Sequence, residues 1–250
     1  VLAALERYHP LAVINASAYT QVDLAETHQQ EAKLINAETP ALIAEWCMKR
    51  DIPFVHYSTD YVFSGQGVRP FLETDHAAPL NVYGLTKLEG EKLIESLGGR
   101  WYVLRTSWVY DSRGIGFYQK MKNLFLERET LKIVNDQVGA PTFAADLATA
   151  SIQLLNSFKK KEGTRSGIYH LCHSGETSWY GFATAIWNEM KSRSIKLKTR
   201  EILPIPSSEY PTPARRPLNS RLNTDLIRDT FGIALPDWLI GLKHCVERDL

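Results

Sequence analysis

Tyr83 and Lys87, in the string Tyr83-Gly-Leu-Thr-Lys87, stand four residues apart, a spacing that puts two side chains on one face of a helix. Upstream, Ser58-Thr59-Asp60 ends an apolar run, residues 53–58, that reads as a strand. Packed together, the two segments bring a phenol, an ammonium and a hydroxyl to one place. A phenol near its reference pKa of about 10 is a poor acid or base at neutral pH, whereas a neighbouring ammonium favours phenolate and draws that value down. Tyr83 could then exchange a proton with a substrate oxygen. Thr59 would hydrogen-bond the same oxygen, orienting a carbonyl and stabilising charge that develops on it. A lone Tyr-x-x-x-Lys is also an ordinary surface helix pair, so its weight comes from the elements around it.

Those elements repeat. Residues 12–17, 53–58, 101–107, 131–135 and 167–172 are apolar β-rich runs, and residues 31–49, 81–96, 116–128 and 144–158 carry apolar side chains at i, i+3 and i+4. The alternation predicts an α/β fold, a doubly wound parallel sheet covered by helices. After Ser174 the texture changes to helices near 179–193, 224–231 and 236–248 around a stretch holding Pro204, Pro206, Pro211, Pro213 and Pro217. That predicts a smaller α+β lobe, built from 111–143 and 176–250, beside a sheet domain of 1–110 and 144–175. Lys159-Lys-Lys161 reads as a solvated helix end complementing the dipole.

Composition removes several classes. With 44% hydrophobic and 23% charged residues in 250, the chain is neither disordered nor a coiled coil. The 29 Lys and Arg against 28 Asp and Glu leave +1, no field to hold nucleic acid or an anionic membrane. No apolar run reaches the ~20 residues of a membrane helix, and Val1-Leu-Ala-Ala-Leu-Glu-Arg lacks the regions of a signal peptide. Cys47, Cys172 and Cys245 are odd in number and far apart, which points to a reducing, cytoplasmic setting. There is no HExxH, GxSxG or P-loop, and seven histidines show no metal-ligand spacing. Alternation along its strand turns His56 into packing. Asn15 reads as sheet hydrogen bonding, and Asp136 and Gln137 as scaffolding first and ligand contacts second.

The string His56-Tyr-Ser-Thr-Asp-Tyr-Val-Phe-Ser-Gly65 with Pro79-Leu-Asn-Val-Tyr-Gly-Leu-Thr-Lys-Leu-Glu-Gly-Glu-Lys92 resembles the extended short-chain dehydrogenase/reductase superfamily. Arg105-Thr-Ser-Trp-Val-Tyr110, Asn135-Asp-Gln-Val-Gly-Ala-Pro-Thr142, Gly167-Ile-Tyr-His-Leu171 and Tyr210-Pro-Thr-Pro-Ala-Arg-Arg-Pro-Leu-Asn-Ser-Arg-Leu222 sharpen the resemblance to the dTDP-4-dehydrorhamnose reductase family, over essentially the whole chain. The resemblance implies a Rossmann-like fold and reduction of the 4-keto group of a nucleotide sugar with NADPH or NADH. It makes Tyr83 the proton donor, Lys87 the holder of the cofactor ribose and tuner of Tyr83, and Thr59 the substrate-orienting hydroxyl. Asp60 and Trp108 match substrate-contacting positions, and Ala18, Tyr19 and Thr20 the segment that passes the cofactor. Trp108 offers a flat apolar face for a deoxysugar; Arg215 and Arg216, in a proline-stiffened segment, could clamp a diphosphate. The family also allows a homodimer and an interface Mg2+, for which no residue here gives a place. A second reading is a non-catalytic regulatory subunit of the same fold, like the regulatory partner of methionine adenosyltransferase.

One departure stands out. Average usage puts four or five glycines in a 64-residue stretch, at about 7%, yet the first glycine is Gly65. No glycine-rich phosphate turn opens the chain, so the sequence reads as an N-terminally truncated member that lacks about three strands. Nicotinamide preference is not readable without them. In a sheet ordered 3-2-1-4-5-6 the strand at 12–17 then becomes an edge.

Overall fold

The computed structural model describes residues 1–158 and 166–249; the Lys159-Lys-Lys161 run lies outside them. In chain order the first part comprises α1 (Leu2–Tyr8), β1 (Val13–Asn15), α2 (Val22–Ala25), α3 (Gln29–Lys33), α4 (Thr39–Met48), β2 (Phe54–Thr59), α5 (Val82–Leu97) and β3 (Trp101–Thr106). The middle holds β4 (Val109–Tyr110), α6 (Phe117–Glu127), β5 (Thr130–Val134), β6 (Val138–Gly139), β7 (Thr142–Phe143), α7 (Ala144–Ser157) and β8 (Gly167–His170). Then come β9 (Thr177–Ser178), α8 (Trp179–Ser192), β10 (Glu201–Ile205), α9 (Asp225–Phe231) and α10 (Trp238–Asp249).

The main sheet runs β1-β2-β3-β8, all parallel, the α/β arrangement expected. Period-two alternation sorts its side chains to two faces. Phe54, Trp101 and Val103 pack with Ile43 and Trp46 of α4 and Ile94 of α5. Val55, Tyr102 and Leu104 pack on the other face with Leu147 and Leu154 of α7 and Ile227 of α9. Both faces are covered, so the strands carry apolar side chains on both sides rather than on one. His56 shares the Phe54 face and therefore looks at α5. Among the described residues β1 pairs on one side only, with β2.

Two differences from the sequence reading have local causes. Residues 31–49, expected as one helix, are broken by a π-helical turn over Leu34–Glu38 with Asn36 buried inside it; such a turn inserts one extra residue and re-aims the helix beyond it. The strand near Leu131 forms, yet as β5 it joins a separate two-stranded parallel sheet with β10. Pro204, opposite Ile133, is tolerated because each strand there has a free edge. Around this pair, Tyr118 and Phe125 of α6, Phe182 and Ile186 of α8 and Leu242 of α10 form a second apolar core. All three cysteines are free and buried. Among the described residues no helix is long and apolar enough to cross a membrane.

Candidate active site

A cleft of about 480 Å³ opens where β1, β2 and β3 end, the place where an open α/β sheet takes its ligands. Thr59, Asp60, Tyr83, Lys87 and Trp108 line it, with Ala18 and Thr20. Two glycines allow α5 to carry Tyr83 and Lys87 there. A Cβ on Gly84 would collide with the Tyr61 carbonyl oxygen and one on Gly90 with the Asn36 carbonyl oxygen, so both residues let backbone meet backbone. Asn81 caps the helix, its Oδ1 accepting from the Gly84 N–H at 2.8 Å, and its Nδ2 donates to the Arg215 carbonyl at 2.8 Å. Asn36, buried in the π turn, accepts from the Tyr19 N–H at 2.8 Å and donates to the Thr86 hydroxyl at 3.1 Å. The loop after β1 is thereby tied to α5 one residue before Lys87.

Burial sets the charges. The Tyr83 phenol is pushed up to about 12, first by burial and then by the Asp60 carboxylate; the Thr59 hydroxyl, in hydrogen-bonding reach, pulls the other way. Lys87, expected to draw the phenol down, is not among the groups acting on it here. The Lys87 Nζ donates to the Tyr57 carbonyl at 2.6 Å and stands 3.0 Å from His56 Nε2. Lys87 is itself lowered to about 8 by burial, against the raising influence of Glu91. Asp60 is raised to about 6 by burial, opposed by hydrogen bonds from Ser220 and Thr59. The Thr59 hydroxyl donates to Asp60 Oδ1 at 3.0 Å, and Asp60 Oδ2 is buried without a hydrogen-bond partner.

Trp108 takes a left-handed backbone, φ 47°, and stacks on Trp179 with ring centroids 3.7 Å apart. Gly139 makes room for it, since a Cβ there would press on the Trp108 ring. Ala18 and Thr20 face the cleft, while Tyr19 meets Asn36 through its backbone. The two arginines are not brought to the cleft lining. Arg216 grips Asp23 with two bonds of 2.9 Å; Arg215 is exposed. Asp136 accepts from Ser207, and Gln137 bridges Ser207 and Trp179, so both scaffold the lobe.

Sequence reasoning missed four contributors. His56 is not apolar packing: it is fully buried and meets Lys87 on one side and Asn15 on the other. Glu91, buried one helical turn after Lys87, takes two bonds from Arg105, at 2.9 and 2.7 Å, and one from Ser58. Trp179 and Asn36 carried no signal, because their partners lie 71 and 50 residues away in sequence. Glu91 at i+4 from Lys87 was the one readable hint.

The residues present fit the nicotinamide-ribose end of a dinucleotide: small Ala16 and Ala18 leave the sheet end open, and Lys87 and Tyr83 offer polar atoms inside it. Residues 1–64 contain no glycine, so they include no glycine-rich turn for a pyrophosphate. No group of three or more His, Cys, Asp or Glu able to hold a metal is found among the described residues, and nothing here supports Mg2+.

A parallel sheet wrapped by helices, with a Thr-Tyr-Lys cluster at its carboxyl edge, defines a Rossmann-like α/β protein of the extended short-chain dehydrogenase/reductase kind. The family described as RmlD substrate binding domain matches residues 1–250. The dTDP-4-dehydrorhamnose reductase of Escherichia coli K12 is 43% identical over 247 residues, covering 99% of this chain and 82% of that protein. That of Burkholderia thailandensis is 43% identical over 252 residues, 98% of this chain and 84% of its own length. The crystal structure of dTDP-4-dehydrorhamnose reductase from Bacillus anthracis, in complex with NADP, superposes with a TM-score of 0.90 at 31% identity, covering 98% of this chain and 83% of that one. The chain belongs to the RmlD family of dTDP-4-dehydrorhamnose reductases. These relatives are named as reductases, which supports the enzyme reading over the regulatory one.

Proposed function

We propose that the protein reduces the 4-keto group of dTDP-4-dehydro-L-rhamnose to give dTDP-L-rhamnose, using NADPH or NADH. The observation that carries this is the meeting of Thr59, Tyr83 and Lys87 in one cleft at the carboxyl end of the sheet, in a chain 43% identical to a reductase of that name. When bound, the nicotinamide supplies the hydride. Thr59 holds the carbonyl oxygen, and Tyr83, raised to about 12, keeps its proton at neutral pH and delivers it to the oxygen as charge develops there. Asp60 Oδ2 takes a sugar hydroxyl. The stacked Trp108 and Trp179 present an indole face to the methyl side of a deoxysugar. Ala18, Tyr19 and Thr20 border the cofactor, and Lys87 its ribose. Arg215 is exposed for a diphosphate, while Arg216 must share or leave Asp23 to meet one.

A homodimer suits the exposed apolar side chains Leu34, Leu42 and Leu93 on the surface formed by the π turn, α4 and α5. Replacing Tyr83 by Phe in the active polypeptide lowers kcat by ~10²-fold or more with nucleotide-sugar binding little changed, as loss of a general acid requires. Near-normal turnover of the keto sugar by the Phe variant removes Tyr83 from the mechanism.

A further inference from the structure

Tyr83, Lys87 and Glu91 follow one another at intervals of four along one side of α5. The first two line the cleft; the third is buried behind it. Glu91 Oε1 accepts from the Ser58 hydroxyl and from Arg105 Nε at 2.9 Å, and Glu91 Oε2 accepts from Arg105 Nη2 at 2.7 Å. Ser58 of β2 and Arg105 of β3 are partners in register, and the next register pair is Thr59 with Thr106, both of which line the cleft. One carboxylate therefore grips each of the two strands by the residue just before the one that strand presents to the cleft.

We propose that Glu91 is a positioning residue: by pinning α5 to Ser58 and Arg105 it sets where Tyr83 stands relative to Thr59. This rests on the reading of Thr59 and Tyr83 as acting on one substrate oxygen, and extends it to a group behind the cleft.

Direction, leverage and charge agree. The apolar cluster that holds Ile94 of α5 with Phe54 and Val103 is non-directional, so it fixes the separation of helix and sheet better than the place of the helix along the strands. A forked guanidinium–carboxylate pair has a set geometry, and the Ser58 bond locates it along β2. Lys87 meets the Tyr57 carbonyl of β2 at 2.6 Å; Glu91 carries the attachment on to β3. Eight residues of helix separate Glu91 from Tyr83, about 12 Å, so a tilt of about 5° pivoting at Glu91 moves Tyr83 by about 1 Å. A displacement of ~1 Å at a reacting group costs up to ~10²-fold in rate. A buried ion pair adds little stability over apolar residues of similar size, and location is what this pair supplies instead.

The test sets geometry against stability. Glu91→Leu combined with Arg105→Met replaces the pair by apolar side chains and removes the pins. Glu91→Gln retains an acceptor for Ser58 and Arg105 Nε and leaves a buried guanidinium unmatched. In the active polypeptide the double variant is expected to be the more stable of the two in urea and yet the slower. Its kcat falls about 10- to 100-fold, with the KM of NADPH and of the keto sugar within about twofold of wild type, whereas Glu91→Gln is less stable and retains most of kcat. Activity that follows stability instead, or a folded double variant with wild-type kcat, overturns the proposal. Tyrosine labelled with 13C at Cζ reads the displacement without turnover, the Tyr83 resonance being the one lost in Tyr83→Phe. That resonance is expected to shift in the double variant, and an unshifted one overturns the proposal whether or not the protein reduces a keto sugar. Near-normal turnover by Tyr83→Phe defeats the reading of Tyr83 as the acid and leaves the NMR result to decide the role of Glu91. Should the double variant not fold, Ser58→Ala deletes one pin and leaves the ion pair: a lowered kcat at unchanged KM supports the proposal, and a wild-type kcat overturns it.

Discussion

Asp60 couples ligand recognition to stability at the scale of one side chain. Its folded pKa, about 6 against an ordinary 3.8, is raised by burial, so the folded state disfavours the carboxylate. The penalty is absent below about pH 4, grows between the two values and is complete above about pH 6. Replacing Asp60 by Asn is expected to stabilise the protein by about 3 kcal/mol at pH 7 and by well under 1 kcal/mol, roughly, at pH 4, read from urea midpoints at the two values. The same variant binds nucleotide sugar more weakly, since the free Oδ2 acceptor is gone. Equal gains at both pH values show that burial of the charge is not the cause. Thr59, Tyr83 and Lys87 were legible as residues because type and spacing alone suggest a proton donor, its neighbour and an orienting hydroxyl. His56 was half legible. Alternation put it on the correct face, but only the fold shows that a lysine 31 residues later reaches it.

At the scale of elements, α5 is held against the sheet by polar as well as apolar contacts. Glu91 and Arg105, with side chains 1% and 4% exposed, form a buried ion pair with both carboxylate oxygens engaged. Removing one partner leaves the other charged and unmatched, at a cost of about 3–5 kcal/mol. Arg105→Met is expected to lose that much in chemical denaturation, and the double variant Glu91→Leu with Arg105→Met to recover a large part of it. A double variant no better than the single places the loss in packing instead. The strands and helices that carry the site were readable because each buries a face with its own period, as in β2, β3 and α5. The β5–β10 pair was not. Its partners are some 70 residues apart, and Pro204 in the second strand resembles a loop signal, while the π turn at Leu34–Glu38 leaves the helical periodicity on both sides almost undisturbed.

At the scale of the whole molecule, the main sheet has two open edges among the described residues, β1 and β8. Asn15 ends β1, whose outer edge is unpaired among the described residues, and β1 carries neither the lysine nor the proline that blunts a strand edge. A polypeptide of residues 1–250 alone is expected to associate through that edge and to bind NADPH poorly, because no helix N-terminus behind a glycine-rich turn is present in them to hold the pyrophosphate. Sedimentation and NADPH fluorescence titration check this together; a monomer with saturable micromolar binding removes the prediction.

Trp108 and Trp179, one after β3 and the other opening α8, touch face to face across the cleft. Two indoles that close share their excitation, so the emission of the pair differs from that of separated rings. A sugar that slides between them, or a movement of α8 away from the sheet, parts the rings and changes the colour and yield of the light. The protein thus carries its own optical gauge, built from native residues and needing no dye, for the separation of Trp108 and Trp179, read beside four other tryptophans.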